Sequence, residues 1–430
     1  MSCNLARILV AFSLALAACG SGLAEEFVDQ PPDRLSTLST ADGLVVYDDE
    51  LADLFGRLAR AQEWGGLILV FTQCHSGGML DDLAQALEGT GPVALLAACR
   101  YDEFAWMAVT SDPSGCLSGC NLTRPETYYA AVLASLLAEG VSLEKVARKA
   151  AILDPAAPGG PATDPQICPG DSLVDQPETP QWTFLGGGEK LILGRDVTGQ
   201  PLLPDQLVGV LIVGEADAVA MWNDLDRYHS LLIRLGFRED NLLVLAGPGP
   251  GGTVELTDPE GEIITVPPYV DAPGNRTQIL SSVEWAFDRL PPQGQLFFWF
   301  TGHGSELPAF PWSQALRLEL GQTVTGELSF QDLTMPDGSK YDLYTFSLTE
   351  TSQVTITLSS QDFDAFLWLF DSERLPVATD DDSGGGLDAQ ISVELTSGIY
   401  FIVANSFSEG EYGSYTLATI PRSSESGKVK

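Results

Sequence analysis

Five stretches of the chain are apolar without polar alternation: GGLILVF (65–71), PVALLAAC (92–99), LVGVLIVG (207–214), NLLVLAG (241–247) and QLFFWF (295–300). Between them lie segments with helical spacing. Residues 50–62 place Leu51, Leu54, Phe55, Leu58 and Ala59 on one face, and 81–87 reads as a short helix. Residues 126–151 read as one long helix with Tyr129, Val132, Leu133, Leu136 and Leu137 inward, 218–235 as a helix with Trp222, Leu225, Tyr228, Leu232 and Leu235 inward, and 277–290 as a further one. Fully apolar strands alternating with amphipathic helices predict an α/β domain, a mostly parallel sheet covered by helices on both faces. From about Leu316 the pattern changes to period two, in YDLYTFSL, SQVTITLSS, AQISVEL and GIYFIVAN. Regularly spaced alternating strands predict an antiparallel β-sandwich.

Two further segments interrupt this order. Residues 154–181, DPAAPGGPATDPQICPGDSLVDQPETPQ, hold seven prolines and few apolar residues, which predicts a linker running over the surface; a short hairpin is expected around WTFLGGGEKLIL (182–193). The N-terminus has an arginine, an apolar run from Ile8 to Ala18 and then small residues. That run is shorter than the ~20 residues of a membrane span and has the form of an export signal. The expected division is thus a signal at 1–19, a tether at 20–40, the two halves of the α/β domain at 41–153 and 205–312 with a Pro/Gly-rich linker at 154–204, the sandwich at 316–421, and a polar tail at 422–430.

Leu16-Ala17-Ala18-Cys19 resembles the lipobox of bacterial lipoproteins, which implies lipidation of Cys19 and anchoring of an extracytoplasmic protein in the bacterial cell envelope. The 430 residues carry 59 acidic and 22 basic side chains, a net charge of −37. Such a field repels polyanions and argues against nucleic acid as a partner. Apart from Cys3 and Cys19 the cysteines are Cys74, Cys99, Cys116, Cys120 and Cys168. An odd number in an exported chain leaves one thiol unpaired, and Cys116, Cys120 and Cys168 lie in loop or proline-rich sequence suited to bridges.

Cys74 stands out, in FTQCHSGGML directly after an apolar strand. A nucleophilic thiol needs a base, and the chain has three histidines. His75 adjoins the cysteine and, on an extended chain, points away from it; His229 lies mid-helix among core positions. His303 follows the strand QLFFWFT and is flanked by Gly302 and Gly304. Both Cys74 and His303 thus fall at carboxyl ends of parallel strands, where α/β proteins place their sites. Cys74 is the expected nucleophile and His303 its base, with the N–H groups of Cys74 and Gly304 as oxyanion donors and Ser76, Gly77 and Gly302 shaping the loops.

The runs QCHSGG and FTGHG, each after an apolar strand, resemble the cysteine and histidine motifs of the caspase/legumain-like (clan CD) cysteine peptidases. The resemblance covers about 40–150 and 205–310 and implies a caspase-like three-layer sandwich hydrolysing peptide or protein substrates without a cofactor. In that family the histidine strand comes first. Reading Leu207 through His303 and then Leu44 through Ala151 restores the family's order, so the expected domain is circularly permuted; the alternative is sheet completion between two chains. Family members that cut after basic residues carry an acid two positions before the cysteine, and here Thr72 stands there. Asp81, Asp82 and Asp102 are the acids closest in sequence, each also placed as a solvated loop or helix-start residue.

Residues 316–420 resemble the bacterial pre-peptidase C-terminal domain, an accessory sandwich of secreted peptidases. Within it Asp380, Asp381, Asp382 and Asp388 bunch in a Gly-rich turn, a candidate site for structural calcium, although the spacing is not that of an EF-hand. Two functions follow: an envelope-anchored cysteine endopeptidase, or a catalytically silent lipoprotein using the same scaffold to bind protein or surface.

Overall fold

The computed structural model describes residues 34–107, 125–163, 176–196, 198–256, 263–308, 310–335 and 337–422. The signal with Cys19, most of the tether, Cys116, Cys120, Cys168 and all of the polar tail but residue 422 lie outside the described residues. Two compact units are present, one spanning Ser36–Ser305 and the other running from Glu306 onward together with Arg34 and Leu35 at the start of the first strand.

The first unit is α/β. After β1 (Arg34–Ser39) and β2 (Val45–Tyr47) come α1 (Asp48–Ala61), β3 (Gly66–Phe71), α2 (Met79–Leu87), β4 (Val93–Ala97), α3 (Tyr128–Leu137), α4 (Leu143–Leu153) and β5 (Gln181–Leu185). Then follow β6 (Leu207–Val213), α5 (Val219–Arg234), β7 (Leu242–Ala246), a small hairpin of β8 (Thr253–Glu255) and β9 (Ile263–Thr265), α6 (Arg276–Arg289) and β10 (Gln295–Thr301). A six-stranded sheet has the order β5-β4-β3-β10-β6-β7; it is parallel except for β5, which runs antiparallel to β4. Every residue of β3, β4, β6 and β10 is buried, which is why these strands read as continuous apolar runs. Ile68, Val70, Phe297 and Trp299 pack on one face with Tyr129, Leu133, Val146 and Tyr228. Leu67, Leu69, Phe298 and Phe300 pack on the other with Phe55, Leu83, Ile279 and Val283. Helices therefore cover both faces, and β3 and β10 meet within a single chain.

Three expectations are corrected. The helix expected over 126–151 is two helices, because Gly140 takes the left-handed conformation at φ +66 and ends the first. WTFL forms no hairpin with LIL; as part of β5 it closes the edge of the main sheet. The described ends of the proline-rich segment run partly through the interior, with Pro158, Gly159 and Gln176 exposed. Asp154, Ala156 and Glu178 are buried at 0–1 % exposure, since main-chain bonds such as Glu178 N–H to Ala156 O at 3.1 Å satisfy the backbone.

The second unit contains β11 (Glu306–Pro308), β12 (Leu316–Arg317), β13 (Thr323–Leu328), β14 (Leu333–Thr334), β15 (Lys340–Leu348), β16 (Ser352–Ser360), β17 (Ala365–Phe370), β18 (Pro376–Asp380), β19 (Ala389–Leu395), β20 (Gly398–Ser406) and β21 (Gly413–Arg422). Two sheets, β12-β15-β20-β17-β18 and β13-β21-β16-β19, enclose a core that includes Phe346, Ile356, Leu367, Ile402 and Leu417. This is the all-β domain expected from the alternating pattern. Among the described residues no helix is long and apolar enough to cross a membrane.

Candidate active site

The pairing of β3 with β10 sets Phe71 opposite Phe300. Cys74 and His303 each lie three residues further on, so in-register parallel pairing delivers both to the same carboxyl edge of the sheet. At that edge the backbones touch. A Cβ placed on Gly304 would fall 2.4 Å from the Cys74 carbonyl oxygen and 2.9 Å from that of Thr37, so only glycine permits the approach. Gly302, at φ +142, turns the chain out of β10. The segment beyond is then held by β1, whose Ser39 and Thr37 N–H groups donate to the carbonyls of His303 and Ser305 at 3.0 and 2.9 Å.

His303 is oriented by a residue that sequence reasoning missed. Its Nε2 lies 2.8 Å from Oδ1 of Asp217, in the turn after β6, the other neighbour of β10. A carboxylate only accepts, so Nε2 carries the proton and Nδ1 is left with the free lone pair. The Asp217 hydrogen bond raises the imidazole pKa above its ordinary value; burial opposes the rise, and the charges of Asp217 and Glu215 add to it. The one sequence signal for this residue was its place in GEADA at the carboxyl end of an apolar strand, the rule that located Cys74 and His303.

Cys74 is partly buried. Its Sγ contacts the Ala105 carbonyl oxygen at 3.7 Å, and burial pushes the thiol pKa up, partly offset by backbone hydrogen bonds from Ala105 and from Cys74 itself. No hydrogen bond joins Cys74 to His303 among the described residues: sulfur faces Ala105 and the imidazole faces Asp217. Neither Cys74 N–H nor Gly304 N–H donates to a carbonyl of another residue among the described residues, which leaves both able to meet an oxyanion.

The loop residues have structural work. Ser76 is buried, and its Oγ accepts from the N–H groups of Ala98 and Cys99 at 3.1 and 3.3 Å, tying the cysteine loop to the end of β4. A Cβ on Gly77 would lie 2.7 Å from the Cys99 carbonyl oxygen. His75 is not extended as expected; it adopts φ 57, a left-handed conformation uncommon for a side-chain-bearing residue. Its N–H donates to Glu103 O at 2.9 Å and its Nδ1–H to Tyr101 O at 2.7 Å, while burial lowers its pKa. His75 is thereby a neutral strut of the loop. Thr72 is buried and gives its hydroxyl to Phe300 O at 3.1 Å, and Asp102 pairs with Arg100 at 3.1 Å. His229 stacks on Tyr269, ring centres 4.1 Å apart. Cys99 is a buried free thiol.

In the second unit the Asp380 turn is built from main-chain bonds. Asp380 Oδ2 accepts from Ser383 and Gln390 N–H at 3.0 and 2.7 Å, and Asp388 Oδ1 from Ser360 N–H at 3.2 Å. Among the described residues no three His, Cys, Asp or Glu side chains are grouped so that they could hold a metal ion, and Asp380, Asp381, Asp382 and Asp388 form no such group.

Residues 340–406 match the family described as bacterial pre-peptidase C-terminal domain. The second unit contains such a domain. Among solved structures the chain is similar to the pre-peptidase C-terminal domain of a collagenase from Bacillus anthracis, at 19% identity over 25% of this chain and 94% of that one, TM-score 0.21. It is also similar to PliG of Aeromonas hydrophila, a periplasmic inhibitor of g-type lysozyme, at 15% identity over 25% and 97%, TM-score 0.19. No curated protein matches the chain.

Proposed function

We propose that the first unit is a circularly permuted caspase/legumain-like cysteine endopeptidase. The observation that supports this most directly is that Cys74 and His303 follow two neighbouring parallel strands at the same sheet edge, with Gly304 packed on the Cys74 carbonyl. The attached pre-peptidase C-terminal domain is in keeping with a secreted peptidase, and Leu16–Cys19 with an envelope-anchored lipoprotein.

In this reading the resting thiol is protonated, because burial disfavours the thiolate. His303 Nδ1 takes the thiol proton as sulfur attacks the peptide carbonyl; a C–S bond forms and the carbonyl electron pair moves to oxygen, which the N–H groups of Cys74 and Gly304 hold. The imidazolium, stabilised by Asp217, gives its proton to the departing amine as the C–N bond breaks. Water, deprotonated by His303, then hydrolyses the thioester and restores the thiol. Thr72, buried and bonded to Phe300 O, offers no charge to a basic side chain, so cleavage after arginine or lysine would depend on other residues.

A peptide-library digest with the purified chain, Cys74→Ala and His303→Ala tests the proposal. Cleavage lost in both variants supports it. Cleavage that persists in Cys74→Ala, or is absent from the wild type in reducing buffer, overturns it.

A further inference from the structure

Beneath the cysteine loop lies a second group of ionisable side chains that the reaction above does not use. Glu178, 1 % exposed, and Asp154, fully buried, come from the two ends of the proline-rich segment. Glu178 Oε2 accepts from Trp106 N–H at 2.8 Å, and Asp154 Oδ1 accepts from Ala156 N–H at 3.0 Å. The remaining oxygens, Glu178 Oε1 and Asp154 Oδ2, are buried without a donor, as is the Tyr129 hydroxyl. The two carboxyls interact with each other, and in a dry site such a pair can hydrogen-bond only if one keeps a proton. The residue before Trp106 is Ala105, whose main chain holds the Cys74 sulfur. Glu103 makes a parallel tie from the same loop to the same segment, accepting from Thr179 N–H at 2.8 Å and Thr179 Oγ1 at 3.0 Å.

We infer that Glu178, sharing a proton with Asp154, is a positioning residue for Cys74: it fixes the Ala105–Trp106 main chain against the sulfur, and the charge of the pair governs how readily the thiol ionises. The inference rests on Cys74 being the nucleophile. Burial raises both carboxyls, Asp154 to about 7 and Glu178 well above the usual carboxylate range with the Asp154 charge adding to it. The titratable groups facing the pair are Tyr129 from α3, Cys74 after β3 and Cys99 after β4. Tyr129 stays protonated because it is buried, so the first charge to form as pH rises is carboxylate, and it opposes the thiolate.

The test is the pH profile of Cys74 alkylation by iodoacetamide in the full chain, with the modified residue assigned by peptide mass. The double variant Asp154→Asn/Glu178→Gln keeps the shape and the Trp106 acceptor while staying neutral at every pH. Its Cys74 should react about threefold or more faster than wild type near pH 8 and at the wild-type rate near pH 6. A profile superimposable on wild type at both pH values overturns the inference, as does an equal change at both. Should the double variant not fold, Asp154→Asn alone, which removes the carboxyl that ionises first, is read the same way. Alkylation needs no peptide cleavage, so the peptidase reading and this one can fail separately: a chain that cleaves nothing but shows the shifted profile refutes only the former.

Discussion

Replacing Asp217 by asparagine keeps the shape of the side chain that holds His303 and removes its charge. The native contact is a charge-assisted hydrogen bond of 2.8 Å, roughly twice as strong as its neutral counterpart. The His303 side chain is 43% exposed, so solvent screening limits the bond's share of folding stability to about 1 kcal/mol or less. The sign follows from the raised imidazole pKa. A histidine whose folded pKa exceeds its unfolded value contributes stability that is full below the unfolded pKa and disappears as pH rises through the folded one. Asp217→Asn should therefore destabilise the protein below the ordinary imidazole value of 6.5 and leave it unchanged well above. In the reaction the free imidazole is the base, and activity falls as it protonates. The acid limb of the kcat/KM profile should then move to lower pH in the variant, while the plateau drops by about tenfold or more because the ring is less firmly oriented. The chain has three histidines, so ring-proton NMR can follow each through titration, assigned with His303→Ala. If the His303 resonance titrates identically in wild type and Asp217→Asn, the orienting role of Asp217 is wrong, whatever happens to the rate.

Two further expectations probe the scaffold. Gly304→Ala would force a methyl to 2.4 Å from the Cys74 carbonyl oxygen; the backbone must move, costing about 1–3 kcal/mol and most of the activity, and a variant with wild-type melting temperature and turnover would show that the two loops do not meet as described. Asp224 is buried and accepts from Thr127 N–H at 3.1 Å, and burial pushes its pKa from 3.8 up to about 8. The unfolded chain releases this proton first, so wild type should lose stability as pH rises between those values, whereas Asp224→Asn should not; parallel urea-unfolding curves for the two proteins at about pH 5 and pH 8 would refute that coupling.

The strands and helices that carry the site were legible because burial leaves a direct mark on composition. GLILVF, LVGVLIV and LFFWF are enclosed by helices on both faces and have no polar positions to confuse the period. Helices α1, α5 and α6 were placed within two residues by their apolar stripes. Legibility failed where geometry is set by tertiary contact. Gly140 breaks a segment whose side chains remain periodic across the break. β5 owes its partner β4 to the sheet edge, which nothing in WTFL specifies. The buried ends of the proline-rich segment owe their burial to main-chain bonds, invisible to a reading of side chains. Asp217 is hidden for a related reason: it reaches His303 only because β6 is the other neighbour of β10, and strand order is set by tertiary contact. His75 follows a strand closely enough to read as extended, but the loop has already turned there.

Active-site labelling tests the central claim, that Cys74 is a nucleophile served by His303, most directly. A peptidyl acyloxymethyl ketone, which alkylates a cysteine only where the enzyme activates it, is incubated with the intact chain and the adduct is located by peptide mass. The expected result is a single stoichiometric adduct on Cys74, lost in Cys74→Ala and slowed by about a hundredfold or more in His303→Ala. Equal labelling rates with and without His303, or an adduct that settles on another cysteine while Cys74 stays free, would contradict it.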